Sequence, residues 1–304
     1  MRGSGSRSTL LAWPLGSSQI TILGLLPREG SADEIAASGL LADDRWAGRI
    51  VGAWRDERSR VVTLWARSIE PDAEERYLYL RGAPRSAAIP YGLSDLLASA
   101  SRADRAEVTL VEGVLDIHVL RAHGIRSVAA LGGTSIARDT FERLAEVGVE
   151  RVVLALDNDD AGRTALVRAI DQSVRAIRSP DVWVIDPDLY DDAKDPADLI
   201  RVSGAKGWEA ARVAPSCALT WRALDLTGPI GEPETPLARR AALARAGAWL
   251  GALPPRLAIE QTTALDVVAE TLGYDRDAVR RAFRARHWRC GHELPGSRSR
   301  GPSR

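Results

Sequence analysis

Three acidic stations punctuate the middle of the chain, each placed just after a short apolar run. Glu112-Gly113, with Asp116, follows Glu107-Val108-Thr109-Leu110-Val111. Asp157-Asn158-Asp159-Asp160-Ala161-Gly162 follows Arg151 to Leu156. Asp195-Pro196, with Asp198, lies beyond Val182-Trp183-Val184-Ile185. Carboxylates gathered at one place without partners repel each other, and a divalent cation relieves that repulsion. Hard oxygen ligands of this kind suit Mg²⁺ or Mn²⁺. Carboxylate-held ion pairs carry out in-line displacement at phosphorus, so a phosphate ester or nucleoside triphosphate is the substrate class. Each acid also has a bland role. Asp195 before Pro196 is a good helix N-cap, Asp160 can cap a helix starting near Ala161, and Asp116 suits a helix N-terminus. Glu112 and Asp157 directly end apolar runs and are harder to explain that way.

The elements that would position these acids alternate. Runs at 107–111, 127–131, 151–156 and 182–186 have the length and composition of buried strands. Helical patterns follow near 115–123, 136–147, 161–177 and 196–203. Such alternation predicts an α/β fold, a parallel sheet with flanking helices. The carboxyl ends of its strands converge on one crevice, where the acids would meet. Gly132-Gly133-Thr134 and Arg163 are candidates for holding phosphate there, although the glycines serve equally as a strand–helix turn.

Five segments are expected: 1–30, a poorly ordered leader; 31–105, a mixed α+β segment; 106–205, the parallel sheet; 206–290, helical; and 291–304, a disordered tail. The second segment opens with a helical pattern from Ser31 to Gly39 and continues with strands at 48–54 and 61–67. Its many arginines form a phosphate track if alternation puts them on one face, and a self-neutralised surface otherwise. In the helical segment Thr235-Pro236 starts a helix reaching about Leu250. Gly273 ends the next, and Asp275 begins the last, with Val279 and Phe283 inward.

Bulk composition narrows little. The 304 residues carry a formal net charge of zero and are 45% hydrophobic and 27% charged, ordinary for a globular protein. Two cysteines make no disulfide framework and fit a reducing compartment. His287, Cys290 and His292 are closely spaced, but a fourth metal ligand is not evident. No apolar run is long enough to span a membrane. Leu10 to Leu15 loosely mimics a signal peptide, but Pro14 and Gly16 interrupt it, so a cytoplasmic location is expected.

Glu112-Gly113-x-x-Asp116 followed by Asp157-x-Asp159-x-x-Gly162 resembles the two halves of a Toprim domain, the fold shared by DnaG-type primases, topoisomerases and certain nucleases. Flanking pieces resemble DnaG-type bacterial primases. These are Asp44-Arg45-Trp46-Ala47-Gly48-Arg49-Ile50, Arg76-Tyr77-Leu78, Tyr91-Gly92-Leu93 and Lys194-Asp195-Pro196-Ala197-Asp198-Leu199. The resemblance covers roughly residues 31 to 290. It implies a Toprim-containing polymerase core, with a partial basic subdomain at 31–105 and a helical subdomain at 206–290.

By that resemblance Glu112, Asp157 and Asp159 are catalytic, and Glu112, Asp116, Asp157, Asp159, Asp195 and Asp198 bind Mg²⁺ or Mn²⁺. Arg45, Arg49, Arg76, Arg85 and Arg163 contact template or nucleotide phosphate. The implied activity is DNA primase: synthesis of short RNA primers on single-stranded DNA from ribonucleoside triphosphates during DNA replication, with a replicative helicase as a further partner. Three departures stand out. The part of the basic subdomain before residue 31 looks shortened. Ala197 replaces the second acid of the family's Asp-Pro-Asp, with Asp198 the nearest substitute. No Cys/His set for a zinc ribbon precedes residue 31. Two alternatives stand beside this reading: a Toprim nuclease using Glu112 as general acid/base, and a truncated, non-catalytic DNA-binding primase fragment. A topoisomerase needs a tyrosine nucleophile on a large separate domain, for which there is no room among 304 residues.

Overall fold

The computed structural model describes residues 46, 48–70, 72–80, 89–99, 105–133, 136–213, 215–228 and 235–285, with the backbone of strands 11–15 and 18–23 and of the last helix to residue 290. Two five-stranded sheets and a group of helices make up the described chain. The first sheet has the order β1 (Leu11–Leu15), β2 (Ser18–Leu23), β3 (Arg49–Arg55), β4 (Val61–Ser68) and β5 (Tyr77–Tyr79), antiparallel except for β2 against β3. The segment read as a leader therefore contributes two strands. The expected helix at Ser31–Gly39 and the tail from 291 lie outside the described residues.

The second sheet holds the acidic stations. Its order is β10 (Ser216–Cys217), β9 (Asp181–Val184), β8 (Arg151–Ala155), β6 (Glu107–Val111) and β7 (Val128–Ala130). Strands β9, β8, β6 and β7 run parallel, and β10 adds an antiparallel edge. Side chains alternate across the sheet as a period of two requires. Val108, Leu110, Val152, Leu154 and Val184 enter one core, while Val111, Val153, Ala155 and Ile185 enter the other. That double burial is why these strands read as continuous apolar runs.

Helices fill both faces. α1 (Leu93–Ser99), α3 (Arg138–Glu146) and α4 (Asp160–Arg175) pack on the first face. α2 (Asp116–Ala122) and α5 (Pro196–Val213) pack on the second. Each expected strand and helix of this region is present, trimmed by a residue or two. The exception is α5, expected to end near 203. Gly204, at φ 65°, breaks the helix there, and a second helical stretch continues to Val213. The burial of Trp208 and Ala211 explains the continuation.

The first sheet docks on the second through aromatic side chains. Trp65 is fully buried and stands edge-on to Tyr91, with ring centroids 5.6 Å apart. Trp54 Nε1 donates to the Ile89 carbonyl at 2.9 Å. Tyr91 forms a two-bond bridge with Ala130, at 2.7 and 2.9 Å, tying that junction to the β7 edge.

The helical region comprises α6 (Ala218–Asp225), α7 (Pro236–Gly251), α8 (Ala258–Thr271) and α9 (Arg276–Cys290). It covers the outer side of α4: Trp249 Nε1 reaches Asp171, and Arg256 caps the end of α4 through the carbonyls of Val174 and Ala176, at 2.6 and 2.7 Å. Thr235 and Asp275 cap α7 and α9 as their sequence positions predict. Gly273, at φ 72°, takes the left-handed turn after α8. Asp275→Ala removes the bond from Ala278 N at 2.8 Å and is expected to lower stability by about 1 kcal/mol. A urea titration checks it. The side chains of His287 and Cys290, and the whole of His292, lie outside the described residues, and the metal spacing noted there lies outside them too.

Candidate active site

Glu112 is the residue after β6, and Asp157 lies two residues past the end of the neighbouring parallel strand β8. Both side chains are half-buried in the crevice above the strand ends. Glu112 Oε2 and Asp157 Oδ1 are buried, and neither finds a hydrogen-bond partner in the protein. Such atoms are rare in folded proteins because desolvation without compensation is costly. An acceptor oxygen aimed inward with no donor is where a cation belongs.

The turns around them are tightly built. Asp116 opens α2 and accepts from Gly113 N at 3.0 Å, and a Cβ on Gly113 would lie 2.5 Å from its Oδ2. Any larger residue at 113 would displace the Asp116 carboxylate from this bond. Beyond β8, Asp159 caps α4 by accepting from Gly162 N at 2.8 Å. The cap is Asp159 and not Asp160, which is the first helical residue. Asn158 N donates to the Lys194 carbonyl at 2.7 Å, tying the second station to the third.

The third station is occupied with its own backbone. Asp195 Oδ1 accepts from Asp198 N at 2.7 Å, the capping role its place before Pro196 suggests. Asp198 accepts from Lys194 N at 3.0 Å and pairs with Arg201. Both oxygens of Asp198 are thus engaged, one by a backbone amide of its own turn and one by a partner of opposite charge.

Electrostatics nevertheless joins the stations. Burial first, then the charges of Asp157 and Asp159, push the Glu112 carboxyl up to about 7. Burial, then Asp195 and Asp157, push Asp116 up to about 7. Asp157 rises to about 6 through burial, then Asp195, against an opposing pull from Lys194. No three His, Cys, Asp or Glu side chains among the described residues stand close enough to enclose an ion. The two observations are compatible. Carboxylates can stand too far apart to enclose an ion and still sense one another through a half-buried crevice. The donor set, all hard oxygens with two inner atoms unpartnered, fits Mg²⁺ or Mn²⁺.

The raised values fix a sign. A carboxyl that titrates higher in the folded than in the unfolded chain binds extra protons when folded, so stability falls as pH rises between the two values. For Glu112, Asp116 and Asp157 the window runs from the ordinary values of 4.5 and 3.8 up to 6–7. The three together should cost on the order of 2 kcal/mol across it, after discounting for solvent screening in a half-open crevice. Thermal unfolding in the presence of a chelator, at pH 5 and pH 8, checks the sign, and Mn²⁺ should restore the loss at pH 8.

The basic candidates fare unevenly. Arg49 donates to the Glu75 and Arg76 carbonyls, at 2.6 and 3.4 Å, and so braces the β4–β5 connection. Arg76 follows that connection one residue before β5. Arg163 pairs with Asp188 at 2.6 Å and lies 5.9 Å from the Trp221 ring, so a phosphate would have to displace a carboxylate. Arg45 and Arg85 lie outside the described residues, as does Thr134. Tyr79 Oη donates to the Gly132 carbonyl at 2.9 Å, and Gly132 N donates to the Glu112 carbonyl at 2.9 Å. The glycine loop therefore links the first sheet to the strand end that carries Glu112.

Arg67 belongs to the arginine-rich segment of the sequence but was not singled out there as a phosphate contact. It sits two residues after Trp65 on β4, hence on the same face of the strand. It donates to Tyr77 Oη at 2.6 Å, its guanidinium is 5.0 Å from that ring, and its charge eases the burden on Asp116. The period-two offset from a buried tryptophan was the available signal.

Comparison with known proteins agrees with this architecture. The Toprim-like family matches residues 109–200, which contain all three stations. The DNA primase of Deinococcus radiodurans is 28% identical over 228 residues, covering 68% of this chain and 38% of that protein. The DNA primase of Escherichia coli strain K12 is 28% identical over 200 residues, covering 62% and 33%. The chain thus spans about a third of the length of these curated relatives. Among solved structures, a DNA primase domain from Pseudomonas aeruginosa superposes with a TM-score of 0.64 at 23% identity, covering 84% of this chain and 81% of that one. A DnaG primase catalytic domain bound to ssDNA superposes with a TM-score of 0.61 at 24% identity, covering 76% and 71%. Two stacked cores, a β-sheet annex and a helical annex around acid-tipped parallel strands place a Toprim domain inside the catalytic-core fold of the DnaG-type DNA primases.

Proposed function

We propose that the chain is a primase-type nucleotidyltransferase core that joins ribonucleotides into short RNA on single-stranded DNA. The observation that carries the reading is the pair of buried, unpartnered oxygens, Glu112 Oε2 and Asp157 Oδ1, at adjacent parallel strand ends. Glu112, Asp116, Asp157, Asp159 and Asp195 would hold the divalent ion. When bound, that ion acidifies an attacking hydroxyl and neutralises polyphosphate charge. Glu112 is the carboxylate offered to take the proton of a primer 3′ hydroxyl. Arg67, on the wall facing Asp116, offers a guanidinium to a phosphate. Single-stranded DNA as template is supported by the similarity to a DnaG catalytic domain bound to ssDNA. A replicative helicase as partner and a cytoplasmic setting follow from the reading. No described helix is long and apolar enough to cross a membrane.

One observation favours a second reading, a non-catalytic DNA-binding fragment. Asp195 and Asp198 are both engaged by backbone amides, and Ala197 stands between them. The test is direct: the purified chain receives a single-stranded template, ribonucleotides and Mn²⁺. Short oligonucleotides are expected. A folded protein that binds DNA and makes none would leave the second reading standing, and cleavage of DNA without nucleotides would point to a nuclease.

A further inference from the structure

Tyr190 closes the 3₁₀ turn Pro187–Tyr190, between β9 and α5, and its side chain is completely buried. It packs in the core that holds Ala155, Ile185, Ala193 and Leu199, beneath the loop that carries Asp157. The turn is rigidly held. Asp186 accepts from Asp188 N at 3.1 Å and from Trp221 Nε1 at 3.0 Å, and Ala193 N donates to the Tyr190 carbonyl at 2.9 Å. The same connection is fastened to the second station: Asn158 N bonds the Lys194 carbonyl at 2.7 Å, and Asn158 Nδ2 reaches the Asp191 carbonyl at 3.4 Å.

Despite this enclosure, the Tyr190 hydroxyl has no hydrogen-bond partner in the protein. A buried phenol ordinarily finds an acceptor. Three carboxylates act on it: Asp157, Asp186 and Asp195. Asp186 already serves Asp188 N and Trp221 Nε1, and Asp195 serves Asp198 N. Asp157 alone among them keeps a buried oxygen with no donor. An orphan donor and an orphan acceptor thus lie on the two sides of one loop junction.

We propose that Tyr190 is a positioning residue for Asp157: its hydroxyl reaches the inner oxygen of that carboxylate through one bridging water and so sets how the carboxylate faces the cation. The inference rests on the metal reading above. Its logic is that of outer-shell partners in metal sites, which orient ligands without touching the ion.

Mn²⁺ binding by the full chain, followed by electron paramagnetic resonance without nucleotide, is the test. The unsubstituted protein should bind saturably, and Asp157→Asn should abolish binding. Tyr190→Phe removes only the hydroxyl and should weaken Mn²⁺ affinity about tenfold with unchanged circular dichroism. Thermal unfolding of the metal-free single and double variants should be non-additive, because the two groups interact. Unaltered Mn²⁺ affinity in Tyr190→Phe, with Asp157→Asn still inactive in binding, would overturn the inference and spare the metal reading. Loss of fold in Tyr190→Phe would assign the residue to the core and overturn it as well. Failure of the unsubstituted protein to bind Mn²⁺ would remove the metal reading itself, and this inference with it.

Discussion

Glu112→Gln and Asp157→Asn are each expected to lower nucleotidyl transfer by about 10²- to 10⁴-fold while making the metal-free protein harder to unfold at pH 8. The two effects share one cause. At pH 8 both carboxyls are charged, although burial and neighbouring acids favour the neutral forms, which persist up to about 7 for Glu112 and about 6 for Asp157. The neutral amides remove the repulsion and keep nearly the same shape. Each substitution should then add on the order of 1 kcal/mol at pH 8, after allowance for screening in a half-open crevice. At pH 5 the native carboxyls are largely protonated already, so the gain should vanish. A residue kept for folding behaves in the opposite way, losing stability when replaced. Primer synthesis assays and thermal melts at the two pH values separate the cases. Variants as fragile as the parent at pH 8 would show that the acids are not held against their preference. Asp198→Asn serves as the contrast: Asp198 pairs with Arg201 and Lys194 N, so its loss should leave the pH 8 gain absent.

How far the sequence carried this picture depends on the range of the signals. Strands β6, β8 and β9 were legible because burial on both faces leaves a continuous apolar run, and Val108 through Val111 shows it. The caps at Thr235 and Asp275 were legible because capping is settled within four residues. Glu112 and Asp157 were legible as chemistry because a charged residue directly after a buried strand has few structural uses. Roles decided across the fold were not legible. Asp198 looks like a third-station ligand in the linear chain, and only the folded turn brings Arg201 and Lys194 N to it. Arg163 looks like a phosphate ligand until Asp188, 25 residues away, is placed beside it. Tyr190 carried no signal at all, since its interest lies in a hydroxyl without a partner. The short strand β10 and the second half of α5 were missed for a related reason: two residues, or a helix broken by Gly204, give too little periodicity to read.

Gly162→Ala should reduce activity about 10²-fold and lower stability, against what helix propensity predicts. Gly162 sits in the first turn of α4 with ordinary helical backbone, where alanine is normally better by about 0.5–1 kcal/mol. Space decides otherwise. A Cβ there would lie 2.1 Å from the Asp157 carbonyl oxygen, 2.8 Å from its carbonyl carbon and 3.0 Å from its nitrogen. These are backbone atoms, so no rotamer change relieves the clash. The strand-exit loop must retreat by roughly 1 Å, and overpacking of this sort costs about 1–3 kcal/mol. The retreat moves the backbone of Asp157 and strains the Asp159 cap, whose donor is Gly162 N at 2.8 Å. A displacement of about 1 Å at a reacting centre is worth about 10²-fold in rate. Gly247→Ala supplies the control. Gly247 is helical in α7, and its added Cβ would meet only Phe283, at 3.9 Å, an ordinary contact. That variant should gain about 0.4–1 kcal/mol and keep full activity. If both glycines respond alike, in stability and in rate, the close approach of α4 to the Asp157 loop does not govern the site.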